Sequence, residues 1–345
     1  MRKLATIQKI KSIIPIPEAD RIEMVEFESI EWKCVTRKGE FKVGDAAIYI
    51  EIDSIIPFEP WSEFLRNKDK PEKPIRLKTK KMMKKYISQG IALPISILSQ
   101  YGYDIISVDA NGHDVTEILG IEKYMPPVSA RLSGQVRGPF PSHLPKTDEE
   151  RIQSSPTLLE ELRGLRCYSA VKADGTSCTC ANISEDEPIH VCSRNLSLQD
   201  GDNVYWDMYK KYRIEDVLND CERLYGIQFE CVGPGVQKNR LGLEELQIMV
   251  FDVRDIQAGR YLDFSDLVAF CTKYDLPMVP IDNPDFVFDF ATAGDLLKAA
   301  DGFYDNGHPR EGIVVRPLQG VYSPTLQGRL SVKAISNEFL LRTKT

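Results

Sequence analysis

The sequence lacks an apolar run long enough to cross a membrane, and it shows no secretory signal peptide. It also lacks internal repeats and low-complexity segments. It contains eight cysteines, but no metal-like pair spacing among them beyond Cys178-Thr179-Cys180. Cys178 and Cys180 alternate along an expected strand, so both are interpreted as packing residues. We therefore expect reduced thiols in an intracellular protein, cytoplasmic or nuclear, with no membrane partner.

An excess of positive charge is also missing, because the formal net charge is −7. Any surface that binds nucleic acid must therefore be local. The sequence has one dense basic run, which could also be only a solvated loop: Arg66, Lys68, Lys70, Lys73, Arg76, Lys78, Lys80, Lys81, Lys84 and Lys85. We predict salt-sensitive contacts to a nucleic-acid backbone from this run, namely from Arg76, Lys78, Lys80, Lys81 and Lys84.

The chain length indicates two domains, because single cores stop growing beyond roughly 250–300 residues. Residues 1–122 contain short, partly alternating apolar runs and predict an OB-fold β-barrel. Residues 123–145 are rich in Pro and Gly and predict a linker or extended arm. Residues 146–345 form the predicted second domain, and they alternate strands with helices. Strands are expected there at 167–172, 178–183, 189–194, 227–232, 246–253, 312–316 and 329–336.

One long helix is expected over residues 205–224, where apolar residues follow helical spacing. Its aromatic side chains are interpreted as core rather than as a base-stacking platform. Thr147 or Asp148 is expected to cap a short helix, and Thr292 to cap a later one.

The stretch at residues 171–176, Val-Lys-Ala-Asp-Gly-Thr, predicts strand, turn and strand, with Gly175 allowing the turn its dihedral angles. Lys172 then lies at the end of a buried strand, where an amine needs a charged partner or a depressed pKa. At its ordinary pKa only roughly 0.04% of a lysine is neutral and nucleophilic at pH 7. Taken alone, Lys-x-Asp-Gly is weak evidence, because such strings are common in surface hairpin turns.

Four further stretches follow Lys172 in a specific order. They are Ser-Arg-Asn at Arg194, Phe-Glu-Cys-Val-Gly at Glu230, Glu-Gly-Ile-Val-Val at Glu311 and Leu-Ser-Val-Lys-Ala at Lys333. This order resembles motifs I, III, IV and V of the covalent nucleotidyltransferase superfamily of ligases and RNA capping enzymes. Residues 39–57 and 88–94 resemble the N-terminal OB domain of one group of ATP-dependent RNA ligases. The resemblance implies the α+β class, with an OB-fold barrel followed by a nucleotidyltransferase (ligase adenylation) domain of antiparallel sheets with flanking helices.

The resemblance also implies roles for individual residues. Lys172 would be the nucleophile that forms lysyl–AMP, Lys333 would contact the α-phosphate, and Glu311 and Asp174 would hold hydrated Mg²⁺ or Mn²⁺, directly or through water. The implied nucleotide contacts are Arg151, Arg194, Glu230, Phe251 and Gly175: Glu230 for the ribose, Phe251 for the base and Arg194 for a phosphate or the reacting RNA end. For the acids the alternative is a surface carboxylate, and for Phe251 a core strand residue.

The implied reaction is ATP-dependent sealing of RNA. ATP adenylates the lysine, AMP moves to an RNA 5′-phosphate, and a 3′-OH attacks to form the phosphodiester; the expected substrate is a nicked duplex and the expected state a monomer. DNA ligases and capping guanylyltransferases generally carry a further OB domain after motif V, whereas this chain ends twelve residues after Lys333. They remain alternatives, as does a non-catalytic RNA-binding protein with a decayed site. Ser331 departs from the usual Lys-x-Lys of motif V, and Arg329 is a candidate to supply the missing charge.

Overall fold

The computed structural model describes residues 3–17, 19–68, 70–83, 85–103, 112–125, 132, 134–184 and 186–342. The chain forms two compact units, one of residues 1–126 with 153–156, and one of residues 127–152 with 157–342. No helix among the described residues is long and apolar enough to cross a membrane.

The first unit is built almost entirely from short antiparallel strands. Its strands are β1 (Ala5–Pro15), β2 (Ile22–Phe27), β3 (Lys33–Arg37), β4 (Ala46–Ile50), β5 (Ser54–Ile56), β6 (Ile75–Arg76), β7 (Lys80–Met82), β8 (Tyr86–Ser88), β9 (Ile91–Pro94), β10 (His113–Asp114) and β11 (Glu122–Lys123). The main sheet has the order β3-β2-β1-β4-β9, with β10 also paired to β1. Alternating residues such as Ile7, Ile48 and Ile50 are fully buried and form its core.

The second unit contains two larger sheets. Its strands are β12 (Val136–Pro139), β13 (Glu150–Arg151), β14 (Arg166–Lys172), β15 (Thr176–Ala181), β16 (His190–Cys192), β17 (Leu196–Leu198), β18 (Tyr225–Val232), β19 (Gln247–Asp255), β20 (Arg260–Tyr261), β21 (Ile281–Val287), β22 (Gly312–Pro317), β23 (Tyr322–Ser323), β24 (Gly328–Arg329) and β25 (Val332–Ile335). Seven strands form the order β12-β17-β16-β15-β18-β19-β20, and five form the order β13-β25-β22-β14-β21.

Short helices flank these two sheets. They are α1 (Thr157–Leu162), α2 (Val204–Lys211), α3 (Ile214–Asn219), α4 (Phe264–Lys273), α5 (Ala293–Ala300) and α6 (Asn337–Arg342); the described residues also include 3-10 helices at Pro60–Leu65, Ile95–Tyr101 and Ile152–Ser154. Thr292 accepts a hydrogen bond from the Asp295 amide at 3.1 Å, so the predicted cap of α5 is confirmed. The α+β class is confirmed as well.

The expected single helix over residues 205–224 is wrong. The chain divides there into α2 and α3, because Arg213 adopts a left-handed conformation with φ of 49°. A left-handed residue cannot continue a right-handed helix. The interpretation of the aromatic stripe as core is confirmed, since Tyr205, Met208 and Tyr209 are buried in the main core of this unit.

Two other local expectations need correction or remain open. The helix expected after Thr147 and Asp148 is absent from these described residues, because Glu150–Arg151 is strand β13, paired in parallel with β25. Within the predicted linker, Val136–Pro139 is strand β12 at the edge of the seven-stranded sheet. The domain boundaries at 122 and 145 stay a prediction.

Candidate active site

Lys172 is the last residue of β14, and the next strand of the chain belongs to the other sheet. β14 lies inside the five-stranded sheet and β15 inside the seven-stranded one, so residues 173–175 form a turn that joins the two sheets. Burial anchors β14, because its residues Cys167 and Ala170 are nearly inaccessible to solvent. The sequence thus places a single amine at the junction of the two sheets.

Gly175 is required at this turn for a reason other than the one expected from the sequence. Its φ does not lie in the left-handed region. A Cβ at this position would instead lie 2.4 Å from the Cys231 carbonyl oxygen and 2.6 Å from Glu230 Cγ. The turn therefore packs directly on β18, and only a residue without a side chain allows that approach.

One face of the five-stranded sheet carries the predicted cations. β14 and β22 pair in antiparallel register, with Ala170 opposite Val314, and Val314 lies opposite Lys333 of β25. Lys333 in turn lies opposite Arg151 of β13. Because side chains two residues apart share a face, Lys172, Lys333 and Arg151 all project from the same side of the sheet.

Carboxylates surround the Lys172 amine. Its Nζ lies 2.7 Å from Glu311 Oε1, and Glu311 immediately precedes β22. Burial acts to lower the pKa of Lys172, but the negative charges of Glu311, Glu230 and Asp174 outweigh it, so the pKa is raised above the ordinary lysine value. Of the two conditions expected for a buried amine, the structure shows the charged partner rather than the depressed pKa.

The carboxylates also perturb one another. Burial, followed by the charges of Glu311 and Asp174, raises the pKa of Glu230 to about 8 in spite of Lys172. Burial and Glu311 likewise raise the pKa of Asp174. Three carboxyl groups thus lie close together beside one amine, and each of them disfavours ionisation of the others.

This cluster of carboxyl oxygens fits a divalent cation. The described residues contain no group of three or more metal-ligating side chains in coordinating geometry. Mg²⁺ and Mn²⁺ do not require one, because Mg²⁺ commonly binds through one or two carboxylates and keeps several waters, and Mn²⁺ accepts similar oxygen ligands. Glu311 and Asp174 supply such oxygens beside Lys172, and their assignment as metal ligands stays a prediction.

The remaining predicted nucleotide contacts differ in their surroundings. Arg194 follows β16 and forms an ion pair with Asp148. Phe251 of β19 is half-buried in an apolar cluster with Tyr168 and Phe264, which stack at 4.2 Å between ring centroids. A half-buried ring is compatible with both interpretations of Phe251, base contact and core residue. The roles of both residues stay predictions.

Two family models and several solved structures match this chain. A family model described as RNA ligase matches residues 167–335, and one described as an OB-fold domain matches residues 4–95. Among solved structures, Naegleria gruberi RNA ligase with PPi is 33% identical, covers 99% of this chain and 98% of its own, and superimposes with a TM-score of 0.85. The chain belongs to the RNA ligase family.

Related structures and sequences complete the comparison. Two lysine mutants of the Naegleria gruberi RNA ligase, one with AMP and Mn and one with ATP and Mn, are each 33% identical, each cover 98% of both chains and each have a TM-score of 0.85. A search of curated protein sequences gives no match. The predicted N-terminal OB-fold and the predicted enzyme class are confirmed.

The ligase contains a buried charge network where its motif V departs from Lys-x-Lys. Ser331 Oγ accepts a hydrogen bond from Arg316 Nε at 3.0 Å, and Arg316 is only 4% exposed. Arg316 Nη2 donates to Glu149 at 2.7 Å, while Arg329 donates to both carboxylate oxygens of Asp252. Arg329 is therefore held by Asp252 inside the ligase, and Arg316 is the guanidinium next to Ser331.

Sequence reasoning missed several residues that shape the site of the ligase. Arg240 forms an ion pair with Asp174, and Tyr304 Oη donates to the Lys172 carbonyl at 3.2 Å. Neither residue lies in a sequence motif, so only the folded structure shows that both reach the site. Arg316 had a signal, because a charge that ends the apolar run Ile-Val-Val of a buried strand requires partners.

The predicted RNA contacts of the first unit are only partly described. Arg76 pairs with Asp53 at 2.9 Å and stacks on Tyr124 at 3.7 Å. Partial burial, together with Arg76 and Lys73, lowers the pKa of Lys78, which indicates crowded positive charge. Lys80 and Lys81 are exposed on β7, whereas Lys84 lies outside the described residues. Their contact with RNA stays a prediction.

Proposed function

We propose that this RNA ligase uses ATP and a divalent metal to seal RNA through an adenylate carried on Lys172. The observation that carries the proposal is the placement of the Lys172 amine 2.7 Å from Glu311, on the sheet face that also bears Lys333 and Arg151. The solved relatives of similar fold contain ATP or AMP with Mn. These features support a site for a nucleotide and its metal.

In the first step the Lys172 nitrogen attacks the α-phosphorus of ATP. A nitrogen–phosphorus bond forms, the bond from the α-phosphorus to the bridging oxygen breaks, and pyrophosphate leaves as the amine gives up its proton. Because nearby carboxylates raise the pKa of Lys172, its amine holds the proton tightly. Neutralising the carboxylate charge lowers that pKa and allows the proton to leave. A divalent ion held by Glu311 and Asp174 would supply this neutralisation and would stabilise phosphoryl oxygens.

The other side chains near the amine bind and orient the nucleotide. Lys333 places a positive charge on the same face as the attacking amine, which stabilises the charge that develops on the α-phosphate. Glu230 comes from β18 of the other sheet, and its carboxyl group can bond ribose hydroxyls. Arg151 extends the cationic row to the edge of the five-stranded sheet.

Two steps complete the joining reaction. An oxygen of the RNA 5′-phosphate attacks the adenylate phosphorus, the nitrogen–phosphorus bond breaks, and Lys172 regains its proton. The RNA 3′-OH then attacks the 5′-phosphate, a phosphodiester forms, and AMP leaves. We propose a nicked duplex as the substrate and a monomer as the working state, to be checked by sedimentation.

The decisive experiment measures transfer of label from α-labelled ATP to the protein. Wild type is expected to carry label after denaturing electrophoresis, Lys172→Ala is not, and Lys210→Ala is a matched control because Lys210 pairs with Asp200 on the surface. Chelation of divalent metal is expected to abolish the label. Label from GTP instead would indicate a capping reaction, and no label with either nucleotide would contradict the proposal.

Substrate choice is tested on nicked duplexes after adenylation is established. We expect sealing when the strand with the 3′-OH ends in ribose. Sealing of an all-DNA nick at the same rate would contradict the requirement for RNA at the 3′-OH end.

A further inference from the structure

A small basic pocket lies beside the turn that carries Lys172, and the steps above leave it unused. Its volume is about 220 Å³. We call it the basic pocket, and it is lined by Lys238, Arg240, His308, Pro309, Phe339 and Arg342.

The charge of this lining is of one sign. Three of its residues, Lys238, Arg240 and Arg342, are basic, and no carboxylate is among the described residues that line the pocket. This lining contrasts with the net charge of −7 for the whole chain. Asp174 and Glu338 pair with the two arginines from outside the lining. An opening lined in this way attracts anions.

The size of the basic pocket narrows the class of anion. Pockets for drug-sized ligands measure roughly 300–1,000 Å³. At about 220 Å³ the basic pocket is too small for a whole nucleotide, but it has room for one or two phosphate groups. Arg240 stacks on Phe339, with the guanidinium carbon 4.9 Å from the ring centroid, and this stacking holds its planar donor group in place. A fixed guanidinium suits phosphate oxygens, which it can bond in pairs.

Two loops fix the basic pocket relative to the reacting amine. In the loop after β18, Gln237 Nε2 donates to the Gly175 carbonyl at 3.0 Å and Arg240 pairs with Asp174. In the loop before β22, Tyr304 Oη donates to the Lys172 carbonyl at 3.2 Å.

The two loops are also bonded to each other. Asn306 Nδ2 of the second loop donates to the Arg240 carbonyl of the first at 2.8 Å. Within the second loop, the Tyr304 amide donates to the His308 carbonyl at 2.8 Å. The walls of the basic pocket are therefore hydrogen-bonded to the same turn that presents Lys172.

We infer that the basic pocket is a phosphate-binding site, with Arg240 as its central ligand, that holds phosphate oxyanions next to the reacting lysine. The inference rests on the proposed function, which supplies two candidate ligands. One is a backbone phosphate of the RNA substrate, and the other is the polyphosphate end of ATP that leaves as pyrophosphate. Both present the same oxygens, and binding measurements separate them.

The test compares two double variants in a Lys172→Ala background, where no reaction occurs. Lys238→Ala with Arg342→Ala removes two exposed cations of the basic pocket and leaves the Arg240–Asp174 pair intact. Lys210→Ala with Lys273→Ala is the matched control, because both lysines are exposed and pair with aspartates elsewhere in the same unit. The probes are inorganic pyrophosphate, followed by calorimetry, and a 5′-phosphorylated RNA oligonucleotide, followed by fluorescence anisotropy.

The pocket variant is expected to bind one probe at least tenfold more weakly than the control does, with unchanged thermal unfolding. Weaker binding of pyrophosphate alone assigns the site to the nucleotide, and weaker binding of RNA alone assigns it to the substrate strand. For RNA, the slope of log affinity against log salt is also expected to fall by about 1 for each phosphate that the variant no longer neutralises. A charge-conserving variant, Lys238→Arg with Arg342→Lys, is expected to bind the probe as tightly as the control does.

Equal binding of both probes by the pocket variant and the control overturns the inference, and so does absence of binding by the Lys172→Ala protein itself. Failure of the proposed function has a different signature. It would leave wild type without label from ATP, whatever the basic pocket binds.

Discussion

Replacing Gly175 with alanine adds one methyl group where the turn packs on β18. That carbon would lie 2.4 Å from the Cys231 oxygen, 2.6 Å from Glu230 Cγ and 2.8 Å from Val232 Cγ1. Carbon atoms of this kind essentially never approach closer than 3.0 Å, and ordinary van der Waals separation begins at 3.4 Å. The nearest atom belongs to the backbone of a central strand, so the turn itself must move.

The size of this movement sets the expected effect. Moving the added carbon from 2.4 Å to an ordinary separation displaces the turn by about 1 Å relative to Glu230. Overpacking of this kind destabilises proteins by about 1–3 kcal/mol. A misplacement of about 1 Å costs as much as 100-fold in rate when reacting groups must be aligned. We therefore expect a folded Gly175→Ala protein whose adenylation is about 100-fold slower.

The assay is single-turnover labelling of the protein with α-labelled ATP at saturating nucleotide, beside thermal unfolding. Gly294→Ala is the matched control, since Gly294 lies in α5 and an added carbon there meets its nearest neighbour at 3.5 Å. Alanine is favoured over glycine in a helix by about 1 kcal/mol, so this control is expected to be as stable or more stable and fully active. Adenylation of Gly175→Ala at the wild-type rate would refute the reasoning.

Three further perturbations test other parts of the ligase. The pKa of Glu230 is raised to about 8, so its protonated form stabilises the fold at low pH, and this stabilisation is lost as pH rises from about 5 through about 8; relative to Glu230→Gln, the free energy of unfolding of wild type is expected to fall over that window in denaturant titrations. Arg316→Met leaves two buried carboxylates with less compensation and is expected to lower the free energy of unfolding by about 3–5 kcal/mol, whereas Arg163→Met, at an exposed pair, changes it by less than about 0.5 kcal/mol. Lys80→Ala with Lys81→Ala is expected to weaken RNA binding and to reduce its salt slope by about 1 for each phosphate that is no longer neutralised, measured by anisotropy.

Each of these expectations has a clear contrary result. Parallel pH curves for wild type and Glu230→Gln would show that the carboxyl titrates normally. A small effect of Arg316→Met would show that the network is not a stabilising unit of the fold. Unchanged RNA binding by the double lysine variant would make the basic run of the first unit a solvated surface.

The order of short motifs in the sequence determined the enzyme class of this protein. Lys172, Glu230, Glu311 and Lys333 each lie at the end of, or within, an apolar run, where a charge needs a partner. Apolar patterns placed the longer strands of the second unit, such as β14, β18, β19 and β22, to within a few residues, because such patterns follow from burial on a sheet face; short strands such as β13 and β20 carry too few residues to show one. These signals are local, and a single sequence carries them.

Tertiary structure alone decided how those residues meet. Residues far apart in the chain form the site, since Asp174 pairs with Arg240 and Arg316 bonds Glu149. It decided the reason for Gly175, which is the close approach of β18 rather than a left-handed turn. It also set the pKa of Lys172, because that value is a sum over carboxylates from three separate segments, and their distances exist only in the folded chain.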